Sequence, residues 1–347
     1  MNEPPKINVA GLSSTASFTK RILILAAVAA LALVLWRLSH VFILVFAGFV
    51  VATVLRALAD PLAARAGLPP RLALGAVVVA LMALAAVGAW FFGDRIAQQF
   101  DEILVQLPQA WARVRSWLEQ HQFGRFVLDS LSGSVAGADQ APAALARVFT
   151  STFGAIAEIV IILVVGLYLA AEPALYRRGL LKLMPPAVRA RVGEAFDAVM
   201  AALKRWLLGQ SLAMLAIGVM TGIGLWVLGI PMALGLALLA GVLEFIPYIG
   251  PFLAAVPAVL IAFAQNPVDA LYVLLLYWGV QQFENWALVP LIQSWSVHLP
   301  PVLAILALVI FGLLFGVPGI VVGAPLMIVA MILVQKLYIE GVLGDEA

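Results

Sequence analysis

Length, composition and charge exclude a soluble globular chain: of 347 residues, 64% are hydrophobic and 11% charged, where a soluble domain carries about twice that charged fraction. A net charge of +2 is too small to point to nucleic acid. Without cysteine there is no disulfide, thiolate metal site or thiol nucleophile, and the histidines at 40, 121 and 298 form no ligand pattern, so no metal or other cofactor is expected.

The apolar residues fall in blocks, several reaching the roughly 20 residues a membrane-crossing helix needs, which predicts an all-α, polytopic membrane protein. A polar stretch ending in Lys20-Arg21 precedes the first block, Ile22 to Trp36, and the next follows so closely that a retained span is expected rather than a cleaved leader. Spans two, three and four are placed at Val41 to Leu58, Leu72 to Phe92 and Phe153 to Ala171. Residues 1–93 thus form a tail with three spans, and 94–150 a polar segment of net charge −1. Residues 151–206 hold span four and a basic stretch, 172–206, of net charge +4. Lys and Arg near span ends favour the cytoplasmic side, which puts the N-terminus, the 2–3 loop (Arg56, Arg65, Arg71) and 172–206 inside. The 94–150 segment then falls outside.

In that outer segment Ile96, Phe100, Ile103, Leu107, Trp111, Val114 and Leu118 recur three or four apart, the pattern of an amphipathic helix. The Ser-, Gly-, Ala- and Pro-rich run Ser130 to Ala144 reads as a linker. A helical arm lying on the membrane or on a neighbouring subunit is the simpler reading, a partner-binding domain the sharper one. On the inner side Pro185-Pro186 open a second amphipathic helix, with Val188, Val192, Phe196, Val199, Met200, Leu203 and Trp206 on one face and basic residues beside it. It is expected at the interface, in contact with anionic lipid.

Residues 207–347 read as the transport core. Between Leu207 and Gln335 there is no Lys or Arg, so the charge rule cannot orient this half; Lys336 alone argues for an inside C-terminus. Span five is Leu207 to Leu228, and a helix from about Leu271 to Val289 follows a first broken block, 231–265. That block is interrupted by Pro247-Tyr248-Ile249-Gly250-Pro251 and again by Pro257. A second block, 301–334, breaks at Phe315-Gly316-Val317-Pro318-Gly319. Helix plus broken block, repeated, is expected of transporters built from internal repeats, whose interrupted segments mark the binding site. Whether each block turns back or crosses is open at this level.

Two acids stand in this half. Glu244 precedes the Pro247 break, and Gln281, Glu284 and Asn285 share one helical face. An ionised carboxylate at the bilayer centre costs roughly 2.5–3.5 kcal/mol, so such groups face protein or water. The functional reading is a polar pathway in which Glu244 or Glu284 binds a proton or cation and the amides bind solute. In the structural alternative both acids are protonated and hold neighbouring helices. Glu158 reads as structural, Asp269 as a helix N-cap and His298 as a loop residue. The pairs Gly218/Gly222, Gly312/Gly316 and Gly319/Gly323 suit close helix contact. No phosphate loop, His-Glu-x-x-His or nucleophile elbow occurs, so neither ATP drive nor hydrolysis has a motif, and no enzyme activity is expected.

Several stretches together resemble one family. Gly209-Gln210, Gly229-Ile230-Pro231, Phe245-Ile246-Pro247-Tyr248-Ile249-Gly250-Pro251 with Val256-Pro257-Ala258, Gln282-Phe283-Glu284-Asn285 with Pro290, Val297-His298-Leu299-Pro300 and Gly316 to Pro325 are similar, in order and spacing, to the autoinducer-2 exporter (AI-2E) family. Pro318 and the doubled Pro300-Pro301 depart from its pattern. The resemblance implies an inner-membrane transporter of about eight spans with both termini cytoplasmic. It implies export of an autoinducer-2-like signal or Na⁺(Li⁺)/H⁺ antiport, and a homo-oligomer, pentamers among them. Secondary transport of a small solute or monovalent cation, driven by an ion gradient, is the leading expectation; an uncoupled oligomeric pore or scaffold is the alternative. Expected binding residues are Glu244, Pro247, Tyr248, Gly250, Pro251, Gln281, Glu284 and Asn285, and expected partners are membrane lipid, the transported species and copies of the chain.

Overall fold

The computed structural model describes residues 36–120 and 152–344 continuously, with isolated helical positions between 22 and 34. Most of the expected span Ile22 to Trp36, and the Ser130 to Ala144 linker, lie outside the described residues. The described chain is helical: α1 (Ser39–Ala66), α2 (Pro70–Glu119), α3 (Thr152–Ala171), α4 (Pro173–Lys182), α5 (Pro186–Val227), α6 (Ala233–Leu243), α7 (Ile249–Gln265), α8 (Pro267–Phe283), α9 (Val289–Gln293) and α10 (Pro301–Leu333). Wide π turns, Glu284–Leu288 and Val334–Leu343, follow α8 and α10. The protein is thus a polytopic helical membrane protein. Four described helices are long and apolar enough to cross a membrane, and a fifth candidate, Ala157–Ala171 with α4, bends by 86° at its break.

Helices α1 and α3 run parallel, as spans two and four must if spans alternate. His40 meets Glu158 at 3.2 Å near one end, Arg56 donates to the Ala170 carbonyl at 2.7 Å near the other, and between them Gly48 and Gly166 let the backbones touch. Arg71 pairs with Glu172 at 2.7 Å, so the α1–α2 turn at Gly67 and the α3–α4 bend share one side of the molecule, called here the α4 side. There Arg177 grips Asp197 through two hydrogen bonds and ties α4 to α5.

Two expected boundaries are absent. The arm begun at residue 94 is no separate surface helix: α2 is one helix of 50 residues, about 75 Å long, against a hydrocarbon core of about 30 Å. Nor is the stretch 186–206 a separate interfacial helix, since α5 runs unbroken for 42 residues. Its apolar face, Val199, Leu203 and Trp206, is buried against α1 and the C-terminal arm of α10, with Val50, Ala324 and Ile328. Protein occupies the face on which lipid was expected, because these large side chains bury more completely between helices.

Both broken blocks fold back on themselves. In the first, Met232 and Leu236 of one arm share a buried cluster with Ala258, Ile261 and Ala262 of the other, while the Gly250 backbone lies against the Leu243 carbonyl. Helices α6 and α7 are therefore the antiparallel arms of a hairpin with its tip at 244–249. In the second, Gly316 has φ 68° and ψ −146°, a conformation open essentially only to glycine. Around it Gly319 lies against the Phe311 carbonyl, Gly312 against Ile320, and Gly323 against the Ala307 carbonyl. The partners close in symmetrically on residue 315, so α10 is a second hairpin, although its length alone would let it cross.

The hairpins point in opposite directions. Ile103, on the extension of α2, is buried among hairpin-one residues, and Trp117 meets Phe263 edge-on at 5.6 Å, so this hairpin's base lies opposite the α4 side. Hairpin two ends where Arg191 donates to the Gly341 carbonyl at 2.8 Å, on the α4 side, and its tip residue Phe315 packs beside Ile43 and Leu44 at the far end of α1. This is an inverted pair, the geometry of repeat-built transporters. The expected N-cap also moves by three residues: Asn266, whose side chain accepts from the Val268 N–H, caps α8, and Asp269 sits in the first turn. Glycine contact is as expected at Gly218 and Gly222, which meet Gly241 and Ala237 of α6.

Candidate functional site

The chain reverses within a few residues at the tip of hairpin one. After α6 ends, the Phe245 and Ile246 amides bond back to the Val242 and Leu243 carbonyls. Tyr248 then takes φ 67°, a sparsely populated conformation for a bulky side chain. Pro251 falls in the first turn of α7, where its missing N–H leaves nothing unpaired. The reversal fixes Glu244 at the end of α6, only 3% exposed. Gln210 of α5 donates its amide to the Glu244 backbone carbonyl at 2.5 Å, and Trp206 meets Phe245 edge-on at 5.9 Å. The tip is therefore held by α5 through one hydrogen bond and one ring contact.

Opposite, α8 widens into its π turn at Glu284, and Gln281 Nε2 donates to Glu284 Oε2 at 2.5 Å. Such widened turns re-aim side chains and recur at functional sites. Glu284 and Glu244 line the same cavity from two different elements. The second carboxylate oxygen of Glu244 is buried with no partner, as is Ser296 Oγ. Two carboxyl groups in one cavity repel when both are ionised.

A cavity of about 520 Å³ opens between hairpin one, α5, α8 and the start of hairpin two. Its lining includes Glu244, Pro247, Tyr248, Pro251, Gln281, Glu284 and Asn285. The eighth expected residue, Gly250, lies behind the wall, buried against the Leu243 carbonyl. The lining also takes in Trp206, Gln210 and Ser296, which sequence reasoning left out. Gln210 carried a usable signal, an amide inside an apolar span; Ser296 carried none. The volume suits a small solute, since ligand sites run from about 300 to 1,000 Å³. Among the described residues, no three His, Asp or Glu side chains gather as a metal site.

The cavity touches α5 at residues 206, 210 and 213, about midway along that helix.

An inverted pair of hairpins beside a polar cavity is an arrangement expected of transporters built from repeats. Comparison gives the family: the profile of the AI-2E family transporter matches residues 23–339, and the chain belongs to that family. A protein of Mycobacterium tuberculosis, MT0215, is 28% identical over 320 residues, 90% of this chain and 87% of its own length. YrrI of Bacillus subtilis is 35% identical over 158 residues, 46% of this chain and 45% of the relative. YueF of the same organism is 28% identical over 180 residues, 51% and 49% respectively. The chain thus spans about half the length of these two relatives. All three carry transport in their names, without a stated substrate.

Proposed function

We propose that the protein is a secondary transporter of the bacterial inner membrane, with both termini cytoplasmic, that moves a small polar solute or a monovalent cation through the cavity at the tip of hairpin one. The observation that carries the reading is the meeting of Glu244 and Glu284, from two different elements, in one pocket. Gln281 orients the Glu284 carboxylate and Gln210 holds the Glu244 backbone; Asn285, Tyr248 and Ser296 offer hydrogen bonds to a solute. A proton or cation taken up between the acids neutralises their repulsion and draws Glu244 and Glu284 together. Its release lets them part, which couples an ion gradient to the position of the hairpin tip. An autoinducer-2-like signal and Na⁺ or Li⁺ exchanged for H⁺ both suit an acid-and-amide lining.

The test is flux in proteoliposomes under imposed H⁺ and Na⁺ gradients. Glu244→Gln and Glu284→Gln keep the size and hydrogen-bonding capacity of the side chain but remove its titration. Each is expected to fold with the wild-type elution profile and to lose gradient-driven flux. Gradient-driven flux unchanged in both variants overturns the coupling role. Wild-type flux that ignores both ion gradients instead supports an uncoupled pore.

A further inference from the structure

Among the described residues only three polar or charged side chains are buried: Thr53, Thr221 and Glu244. Thr53 satisfies its hydroxyl on the Phe49 carbonyl one turn back, as Ser211 does on Leu207. Such back-bonding is the usual resource of a helical hydroxyl. Thr221, 1% exposed in the last two turns of α5, makes no such bond, and its hydroxyl has no partner. The hydroxyl of Tyr277 on α8 is likewise buried and unpartnered. A buried hydroxyl without a hydrogen-bond partner is destabilising. Two close to one layer of the molecule call for a shared reason.

They are close to one layer. Helix α5 runs antiparallel to α8 and α9, with Gly209 against Ile292 of α9 and Gly224 against Leu276 of α8, a register that puts Thr221 within one turn of the level of Tyr277. Thr221 lies one turn from Ile217 and one from Leu225, residues that face Val280 and Val273 of α8. Tyr277 itself packs on the cluster containing Leu225, Leu236 and Val273. Along α8, Tyr277, Gln281 and Glu284 follow at four- and three-residue spacing on one face, so the hydroxyl layer stands about 10 Å from the acid pair. It lies on the side of the acid pair away from α4, the side from which hairpin one enters.

We propose that the Thr221 and Tyr277 hydroxyls are a relay step, reached by water, through which protons pass between the Glu244–Glu284 pair and the side opposite α4. A hydroxyl can accept a proton from one neighbour as it releases its own to the next. A proton arriving on water is thus handed through Tyr277 and Thr221, by way of water held near Gln281, to a carboxylate of the pair, and each hydroxyl ends as it began. The inference rests on the reading of the acid pair as the transport site.

The chain has no cysteine of its own, so single cysteines report cleanly. Thr221→Cys in the full-length protein, in membrane vesicles of both orientations, is treated with a small, membrane-impermeant cationic methanethiosulfonate. Expected is labelling at least tenfold faster than for Ile328→Cys, a fully buried position in a different cluster, and only from the side opposite α4. Equal rates at the two positions overturn the relay, as does labelling from the α4 side alone. If Thr221→Cys fails to insert, Tyr277→Cys gives the same comparison. In proteoliposomes loaded with a pH-sensitive dye, Tyr277→Phe is expected to slow proton movement driven by a Na⁺ gradient at least tenfold at unchanged melting temperature. An unchanged rate overturns the relay. Labelling is independent of coupling, which separates the failures. Slow labelling with flux lost in Glu244→Gln removes the relay alone, whereas fast labelling with flux intact in both acid variants removes the transport role of the acids.

Discussion

Gly250→Ala should disable the site without changing any side chain that lines it. A methyl group added at Gly250 falls onto the Leu243 carbonyl oxygen, stands 2.7 Å from its carbonyl carbon and 3.3 Å from the Glu244 nitrogen. Non-bonded carbons prefer about 3.5–4.0 Å, so relief requires about 1 Å of separation. Every atom it meets is backbone, and no side chain can rotate away; the movement must come from the hairpin tip that carries Glu244. Overpacking of this kind costs about 1–3 kcal/mol, and a misplacement of about 1 Å at a reacting or binding group can cost about 100-fold in rate. The expected result is a protein that elutes normally, melts several degrees lower and has lost most gradient-driven flux. Gly279→Ala, where an added methyl meets nothing within 4 Å, is the matched control and should behave as wild type. Wild-type flux and melting temperature in Gly250→Ala would refute the tight closure of the hairpin on which the placement of Glu244 depends.

Other outcomes follow from the same geometry. Gly316→Ala forces a side chain into φ 68°, ψ −146° and should destabilise by about 1–3 kcal/mol, read as a lower thermal midpoint; an unchanged midpoint would argue against the turn at the second tip. At the base of hairpin one, Gln99 accepts from the Gly235 N–H at 2.7 Å and Arg113 donates to the Ala264 carbonyl at 2.6 Å. The extension of α2 thereby satisfies one free backbone group at the start of α6 and one at the end of α7. Arg113→Ala should cost about 1.5–3 kcal/mol, the range for hydrogen bonds to charged groups, less any part that solvent screens. It should also speed proteolysis or hydrogen exchange at 260–266 before any effect near 316, and uniform loosening of both hairpins would contradict the assignment.

Much of this architecture is legible in the chain. Hydropathy is local and additive, so the long spans show themselves, and proline and glycine disturb their own turn, so Pro247 and Gly316 mark both breaks within a residue or two. The stripe Gln281, Glu284, Asn285 is likewise a matter of helical period, and all three reach the cavity. Helix continuity is not local: nothing in the sequence says that α2 runs through residue 94 or that the helix opened at Pro186 continues unbroken to Val227, because neighbours decide whether an amphipathic stretch continues a helix or leaves it.

The break between Glu244 and Gly250 shows the division most clearly. An acid beside Pro-Tyr-Ile-Gly-Pro announces, from composition alone, that this stretch cannot be an ordinary span. That it is a hairpin tip, that it enters from the side opposite α4, and that it brings Glu244 to Glu284 forty residues along the chain are facts of packing. They depend on Gly250 seated on the Leu243 carbonyl, Gln210 holding the Glu244 carbonyl, and the extension of α2 gripping the base. Each is a contact between residues far apart in sequence or between backbone atoms, and no periodicity records it.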